Sequence, residues 1–296
     1  MARDGKPTVE SEASIEGEPP YEKQIDDAAV KRYFDGAGGT APAALSMMVH
    51  EYNLPPNAVV FRLSEELKTI SPWLDTVGGS GRVLDVGCGA GAWVEIFANR
   101  YRSAIGVERS ALMVEDAKRR VAHLANARIL LGDGRQDLPE GPFELIFLGG
   151  LCMYLGDSDV VELLRSLKSR LSERGTIILR ESTVRDGVLL AKGAYQAVYR
   201  SVDLYRKLFE EAGIFHVEVR ANFGYTSMAV AEELVDFRRR WLPFLAKDSR
   251  FFGYLTWWLL RIGSPISFRA VPQALTRLNV PWPKLQNHFF KLNVTV

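Results

Sequence analysis

The chain has 296 residues, 47% of them hydrophobic, enough to bury one large core with a small appendage. Its two cysteines, Cys88 and Cys152, exclude a disulfide framework, so a reduced, cytoplasmic setting is expected. The net charge of +1 hides two opposite ends: eight acidic residues against three basic ones in 1–27, and ten basic residues against the single Asp248 in 237–296.

The acidic segment 1–27 contains Gly17-Glu18-Pro19-Pro20 and no charged leader ahead of an apolar run, so it reads as a solvated tail and not as a signal peptide. Residues 28–79 are expected to form a helical cap, with helices over 28–33 and 58–73 separated by the glycine-rich stretch 36–39. Arg82-Val83-Leu84 then reads as the end of a buried strand, Asp85-Val86-Gly87-Cys88-Gly89-Ala90-Gly91 as a glycine loop, and 92–98 as the helix it turns into. Alternate glycines supply the positive φ of a tight turn and let a ligand rest on bare backbone. A second strand over 104–107 ends in Glu108, a carboxylate placed to accept hydrogen bonds from both hydroxyls of a ribose. Ser110 caps a helix whose apolar face is Met113, Ala117, Val121 and Leu124. Strands over 127–131 and 143–148 follow. Val160, Leu163, Leu164, Leu167 and Leu171 form the next helix face, stopped by Gly175, and the fifth strand covers 176–180. Ser201 opens a further amphipathic helix that Gly213 ends, and two more apolar runs cover 215–219 and 227–231.

Asp85 at a strand end, the glycines at 87, 89 and 91, and Gly132-Asp133 closing the third strand resemble the class I methyltransferases that use S-adenosylmethionine. The resemblance covers about residues 80–231, taken as the catalytic domain. It implies an α/β fold: a seven-stranded, mostly parallel, doubly wound sheet with an antiparallel last strand, here with a helical N-terminal cap and a helical C-terminal extension over 232–296. The family's closing hairpin is expected in 215–219 and 227–231 across the turn Asn222-Phe223-Gly224. S-adenosylmethionine is the implied cofactor, with Gly87, Gly89 and Gly91 facing its methionine part, Asp85 holding its amino group, Glu108 on the ribose, and Asp133 with Gly134 on the adenine edge. Cys88, Arg109, Met113 and Gly149 complete the expected cofactor wall, and Tyr33, Phe34 and Arg62 of the cap are further candidates. The glycine loop also satisfies the dinucleotide pattern, with Ala92 in the third slot. A nicotinamide-dependent oxidoreductase is therefore one alternative, and a non-catalytic regulatory subunit that binds the cofactor is another. The closing hairpin favours methyl transfer, since a dehydrogenase domain more often continues with another parallel crossover.

Open α/β sheets bind ligands beyond the carboxyl ends of their strands. That rule points to Met153 and Tyr154 after the fourth strand, to Glu181 and Ser182 after the fifth, and to a lid over 183–200 whose Tyr195, Tyr199 and Arg200 would touch the acceptor. Methyl transfer from a sulfonium is an in-line displacement, so the protein must hold the reacting atoms collinear and exclude water. An amine acceptor needs an unprotonated lone pair, whereas a hydroxyl needs a base. Glu181 and Tyr154 are thus the expected catalytic residues. The competing readings are a salt bridge from Glu181 to Arg180 or Arg185, and simple packing for Tyr154. No metal site is expected, because His50, His123, His216 and His288 are far apart and none belongs to a close cluster of ligand residues.

The segment 232–296 holds four of the six tryptophans. Its apolar run over 251–260 closes at Arg261 and Gly263, short of the ~20 residues that span a bilayer. Three readings stand: a helix packed on the domain or on a second subunit, a wall of an apolar substrate pocket, or an interfacial membrane contact. Arg238-Arg239-Arg240 would spread around a helix axis, and no nucleic-acid-binding motif accompanies it. The expected acceptor is a small organic or lipid-like molecule methylated on nitrogen or oxygen. Peripheral membrane contact and a homo-oligomer through the C-terminal segment are the partners left open, and nucleic acid is disfavoured.

Overall fold

The computed structural model describes residues 8–10, 25–37, 54–193, 195–242, 244, 249–264, 266–278 and 282–294. Most of the acidic tail, part of the glycine-rich stretch 36–39, and His50 lie outside the described residues. In chain order the elements are β1 (Thr8–Glu10), α1 (Asp27–Ala37), α2 (Asn57–Leu74), β2 (Arg82–Val86), α3 (Ala92–Ala98), β3 (Ser103–Glu108), α4 (Ala111–Val121), β4 (Ala127–Leu131), β5 (Phe143–Leu148), a 3-10 turn (Cys152–Tyr154) and α5 (Asp157–Lys168). Then come β6 (Leu171–Val184), β7 (Val188–Lys192), β8 (Ala197–Ser201), α6 (Val202–Glu211), β9 (His216–Ala221), α7 (Phe223–Trp241), α8 (Arg250–Ile262), a π-helical turn (Ile266–Ala270), α9 (Val271–Arg277) and β10 (Gln286–Asn293).

Seven strands form the central sheet in the order β4-β3-β2-β5-β6-β10-β9. The five strands from β4 to β6 are parallel neighbours, and β10 runs antiparallel to both β6 and β9. The fold class is the expected one, yet the antiparallel strand is formed by different residues. The run 227–231 is helical: Asn222 accepts a hydrogen bond from the Tyr225 backbone N–H at 3.1 Å and starts α7, which buries Met228, Val230, Ala231 and Val235. A five-residue apolar run suits a buried helix as well as a strand. The closing strand is instead β10, near the C-terminus, so α7, α8 and α9 are an insertion between β9 and β10 and not an extension after the sheet.

A second departure lies beyond the end of β5. There Thr183 and Val184 of β6 pair with Arg200 and Ser201 of β8, β7 and β8 form an antiparallel hairpin, and β1 adds to the edge of β7. The segment read as a lid loop over 183–200 is thus mostly a β-ribbon standing on the sheet.

Both faces of the sheet are covered, which is why its central strand β5 is almost continuously apolar and buried. On one face Val86, Leu148, Ile177, Leu179 and Phe290 pack against Leu164 of α5 and Tyr205 and Phe209 of α6. On the other, Val83, Leu145, Phe147, Ile178 and Phe289 meet Trp73 of α2 and Trp93 and Phe97 of α3. Each such side chain contributes about 1.5–3 kcal/mol through burial. A third layer joins Ala58 and Val59 of α2 to Met228 and Val235 of α7 and Trp257 of α8. At Gly224 the backbones of α7 and α2 come so close that a Cβ would lie 2.4 Å from the Arg62 carbonyl oxygen.

Candidate active site

The loop after β2 is built by left-handed backbone. Gly87, Gly89 and Gly91 have φ of 72°, 52° and 79°. At Gly91, the N-cap of α3, a Cβ would also sit 3.0 Å from Ala117 Cβ on α4, so both conformation and space demand glycine. At Gly89 a Cβ would meet nothing within 4 Å; the bare backbone faces open space at the carboxyl ends of the strands. One glycine escaped the sequence reading. A Cβ on Gly106, in β3, would lie 2.7 Å from Cys88 Sγ, so the loop lies down on the sheet only because β3 has no side chain there. Cys88 itself is an inert wall, its thiol pushed well above the usual range by burial.

Two carboxylates flank the loop. Glu108 accepts from the Gly89 N–H at 3.0 Å and from the Ser110 N–H at 2.9 Å, which fixes the carboxylate at the end of β3. Burial raises its pKa while those backbone donors oppose the rise. Asp85 is 2% exposed, and desolvation pushes its carboxyl up to about 8, with Arg180 lowering it and Glu108 adding repulsion. A dry carboxylate next to a second one is favoured in its charged form by a cation brought close to it.

On the outer side, a cleft of about 520 Å³ lies beneath α1 and is lined by Asp27, Lys31, Arg109, Leu112, Leu131 and Asp133 among others. Asp27 pins α1 over it, pairing with Arg109 at 2.8 Å and Arg135 at 3.3 Å. Asp133 is at the expected place but is already engaged: Arg135 donates to both of its carboxylate oxygens at 3.0 and 2.7 Å, which holds its pKa down. Gly134 backs onto Val86 at the end of β2. Met113 is buried, whereas Ala111 and Leu112 line the cleft, so the helical register of α4 turns the expected Met113 away from it.

Arg62 does not stand among these groups. It is buried on α2, 3.7 Å from Glu66, and Glu66 in turn pairs with Arg180 at 3.4 Å and accepts from Asn222 at 3.1 Å. Arg180 carries this network to the site by donating to the Gly149 carbonyl at 2.7 Å. Arg180 and Glu66 were not among the expected site residues. Strand alternation offered a signal for Arg180, since neighbours on a strand face opposite sides and Arg180 cannot share a side with Glu181.

The acceptor side departs most from expectation. Glu181 is fully buried on the α5–α6 side, where it accepts from the Cys152 N–H at 3.0 Å and from the Tyr205 hydroxyl at 3.4 Å. Arg200 is also fully buried, donating to Asp157 at 2.6 Å and to the carbonyls of Cys152 at 2.9 Å and Leu155 at 2.6 Å. The partners of both side chains are thus within the fold, and no ion pair joins Glu181 to Arg180 or Arg185 among the described residues. Both side chains instead clamp the turn that carries Tyr154, because a tight turn after β5 leaves backbone groups that the strand ladder cannot satisfy.

Tyrosines converge on the other side of that turn. The Tyr154 and Tyr195 hydroxyls are 3.2 Å apart, and those of Tyr195 and Tyr199 are 3.0 Å apart. From α1, Tyr33 sits edge-on to Tyr195 and Phe34 edge-on to Tyr154, each with ring centroids 5.0 Å apart. Tyr225 of α7 is near enough to influence the titration of Tyr154, Tyr195 and Tyr199, and it too was missed from sequence. Burial lifts the pKa of Tyr154, Tyr195 and Tyr199 well above the usual value, so all three are neutral hydroxyls at physiological pH. His288, on β10, bonds Thr183 Oγ1 at 2.8 Å and is driven down to about 4 by burial. Among the described residues no group of three His, Cys, Asp or Glu side chains is arranged to hold a metal ion.

A family model described as a methyltransferase domain matches residues 83–175. Phosphoethanolamine N-methyltransferase 3 of Arabidopsis thaliana is 27% identical over 150 residues, which is 50% of this chain and 30% of that protein. The chain thus matches less than a third of this relative's length. Phosphoethanolamine N-methyltransferase 1 of Haemonchus contortus, solved with phosphoethanolamine and S-adenosylhomocysteine, superposes with a TM-score of 0.55 at 19% identity, covering 91% of this chain and 49% of that one. A SAM-dependent methyltransferase from Leishmania major gives 0.54 at 22% identity, covering 66% of this chain and 76% of that one. At these identities the two solved structures speak for the fold.

Proposed function

We propose that this chain, which belongs to the class I S-adenosylmethionine-dependent methyltransferases, methylates the nitrogen of a small amine held among the tyrosines beneath α1. The observation that carries this reading is the set of neutral hydroxyls of Tyr154, Tyr195 and Tyr199, closed over by Tyr33 and Phe34. Ring faces and hydroxyl oxygens accommodate an ammonium through cation–π attraction and hydrogen bonding, and they offer no strong base that an alcohol acceptor would need. The phosphoethanolamine N-methyltransferase name of the Arabidopsis relative supports a small amine as well.

When bound, the cofactor would supply a methyl carbon on a sulfonium for in-line transfer to the nitrogen, the C–S electron pair returning to sulfur. Asp85 would hold the cofactor's amino group, Glu108 its ribose, and the backbone of Gly87 and Gly89 its methionine part. An ammonium has no lone pair, so the acceptor must first lose a proton to water. Hydrogen bonds from the remaining N–H groups to the tyrosine oxygens then fix the direction of the lone pair. The clamp of Glu181 and Arg200 on the turn at 152–155 keeps Tyr154 in place for that task, as positioning residues.

The test is a panel of primary and methylated amines, phosphorylated and free, and of matched alcohols, incubated with S-adenosylmethionine and read by mass for methylated product and S-adenosylhomocysteine. Methylated amines are expected. Turnover confined to the alcohols would overturn the assignment to nitrogen, and binding of NAD in preference to S-adenosylmethionine would restore the oxidoreductase reading.

A further inference from the structure

Helix α8 is apolar over most of its circumference, yet only one side of it is packed. Gly253, Trp257 and Leu260 are buried toward α2 and α7, while Phe251, Tyr254, Leu255, Trp258, Leu259 and Ile262 are exposed, Phe251 by 69% and Ile262 by 64%. Spacings of three and four residues place those six on a single stripe. Surface helices of globular proteins carry polar residues at such positions, so the stripe is an outward face that calls for an apolar partner. The exposed side chains of Phe237, Trp241, Ile266 and Leu278, on neighbouring elements of the same insertion, add to the apolar surface. An apolar recess of about 680 Å³, between Val60 and Phe61 of α2 and Leu255 and Trp258 of α8, lies beside the stripe.

The charges of 237–296 are almost all basic, while Glu233 and Asp236 earlier in α7 lie against Lys284 and Arg239. Arg250 and Arg261 are eleven residues apart and so fall within about 20° of each other on one flank of the stripe. Arg240, Arg277 and Lys284 are exposed as well, and Asp248 is the only acidic residue in 237–296. We propose that α8 lies in the plane of an anionic lipid bilayer, its stripe among the upper acyl chains and its arginines among the headgroups. Trp258 and Tyr254 are the side-chain types that settle at such an interface. With 13 residues α8 is too short to cross, and no described helix is long and apolar enough to do so. A second copy of the chain is a poorer occupant, since a two-fold contact sets this basic face against itself. None of these residues belongs to the glycine loop or the tyrosine cluster, so the inference does not depend on the identity of the acceptor.

The experiment is co-sedimentation of the full chain with vesicles of phosphatidylcholine alone and of phosphatidylcholine with phosphatidylglycerol. Binding is expected to the anionic vesicles, to weaken as salt rises, and to be far lower on phosphatidylcholine alone. Leu259→Glu and Trp258→Glu should each reduce it by about ten-fold or more, and Arg250→Glu with Arg261→Glu should abolish the preference for anionic lipid. S-adenosylmethionine affinity is expected to stay at the wild-type value in all of them, which reports that the variants fold. Absence of vesicle binding by cofactor-competent protein would overturn the proposal, and so would wild-type binding by Leu259→Glu. A dimer in sedimentation velocity that Leu259→Glu dissociates, with no vesicle binding, would assign the face to a second copy.

Discussion

The cofactor side and the acceptor side of this molecule are assembled in different ways. The glycine loop, Asp85, Glu108 and Asp133 come from one stretch of chain, 85–134, and the strands that carry them are neighbours in sequence or in the sheet. The tyrosine cluster draws on α1, the turn after β5, the β7–β8 hairpin and α7, which lie far apart along the chain. Local geometry therefore suffices to build the first, whereas the second exists only when the sheet, the ribbon and the insertion are all in place. Variants on the cofactor side should alter cofactor affinity alone, and variants on the acceptor side should alter turnover or stability with cofactor affinity unchanged.

The largest effect is expected at Arg200. Arg200→Met removes a fully buried cation and leaves Asp157 and two carbonyls without it, which should cost about 3–5 kcal/mol of unfolding free energy, measured from urea midpoints. A loss confined to S-adenosylmethionine affinity would instead move Arg200 to the cofactor side. Asp85→Asn comes next. It should weaken S-adenosylmethionine binding by about 10- to 100-fold, the value of a hydrogen bond to a charged group, as read by calorimetry. Because the Asp85 carboxyl is pushed up to about 8, wild-type affinity should rise with pH toward that value as the carboxylate forms, and Asp85→Asn should remove this contribution.

Tyr195→Phe deletes the central hydroxyl of the cluster. A drop of about 2- to 10-fold in kcat/KM for the acceptor is expected, with cofactor affinity constant. Glu181→Gln should be the mildest, with turnover retained. The Glu181 carboxyl is raised by burial to about 7 from 4.5, so the folded chain binds more protons than the unfolded chain between those values. The stability this proton provides is fully present below about 4.5 and is lost as pH rises through 7. Glu181→Gln should flatten that decline in a series of melting temperatures, whereas a collapse of turnover without a change in stability would return Glu181 to the chemistry.

The places of Asp85, Glu108 and the three glycines were legible because each depends on its immediate neighbours: a strand end, a positive φ, a carboxylate at the tip of the next strand. Asp133 was legible in place but not in pairing, since Arg135 two residues on takes its oxygens. Glu181 and Arg200 were expected beyond strand ends, yet they lie within β6 and β8, and the face of the sheet that each takes depends on strand register and on helices elsewhere. The closing strand was misread for a related reason. The apolar run 227–231 carries no decisive periodicity, and 286–293, with three apolar residues among polar ones, carries little strand signal of its own; only pairing with β6 and β9 makes it the closing strand.

By itself the sequence determined the α/β class and the glycine loop, because those rest on local backbone conformation and on alternation within single elements, and its resemblance to a family pointed to the donor of the methyl group. The tertiary structure decided which strand completes the sheet, that Glu181 and Arg200 brace a turn, that tyrosines from distant segments converge, and that one side of α8 is left bare. Those features depend on burial and on pairing between segments brought together only by folding, and burial is a property of the assembled chain.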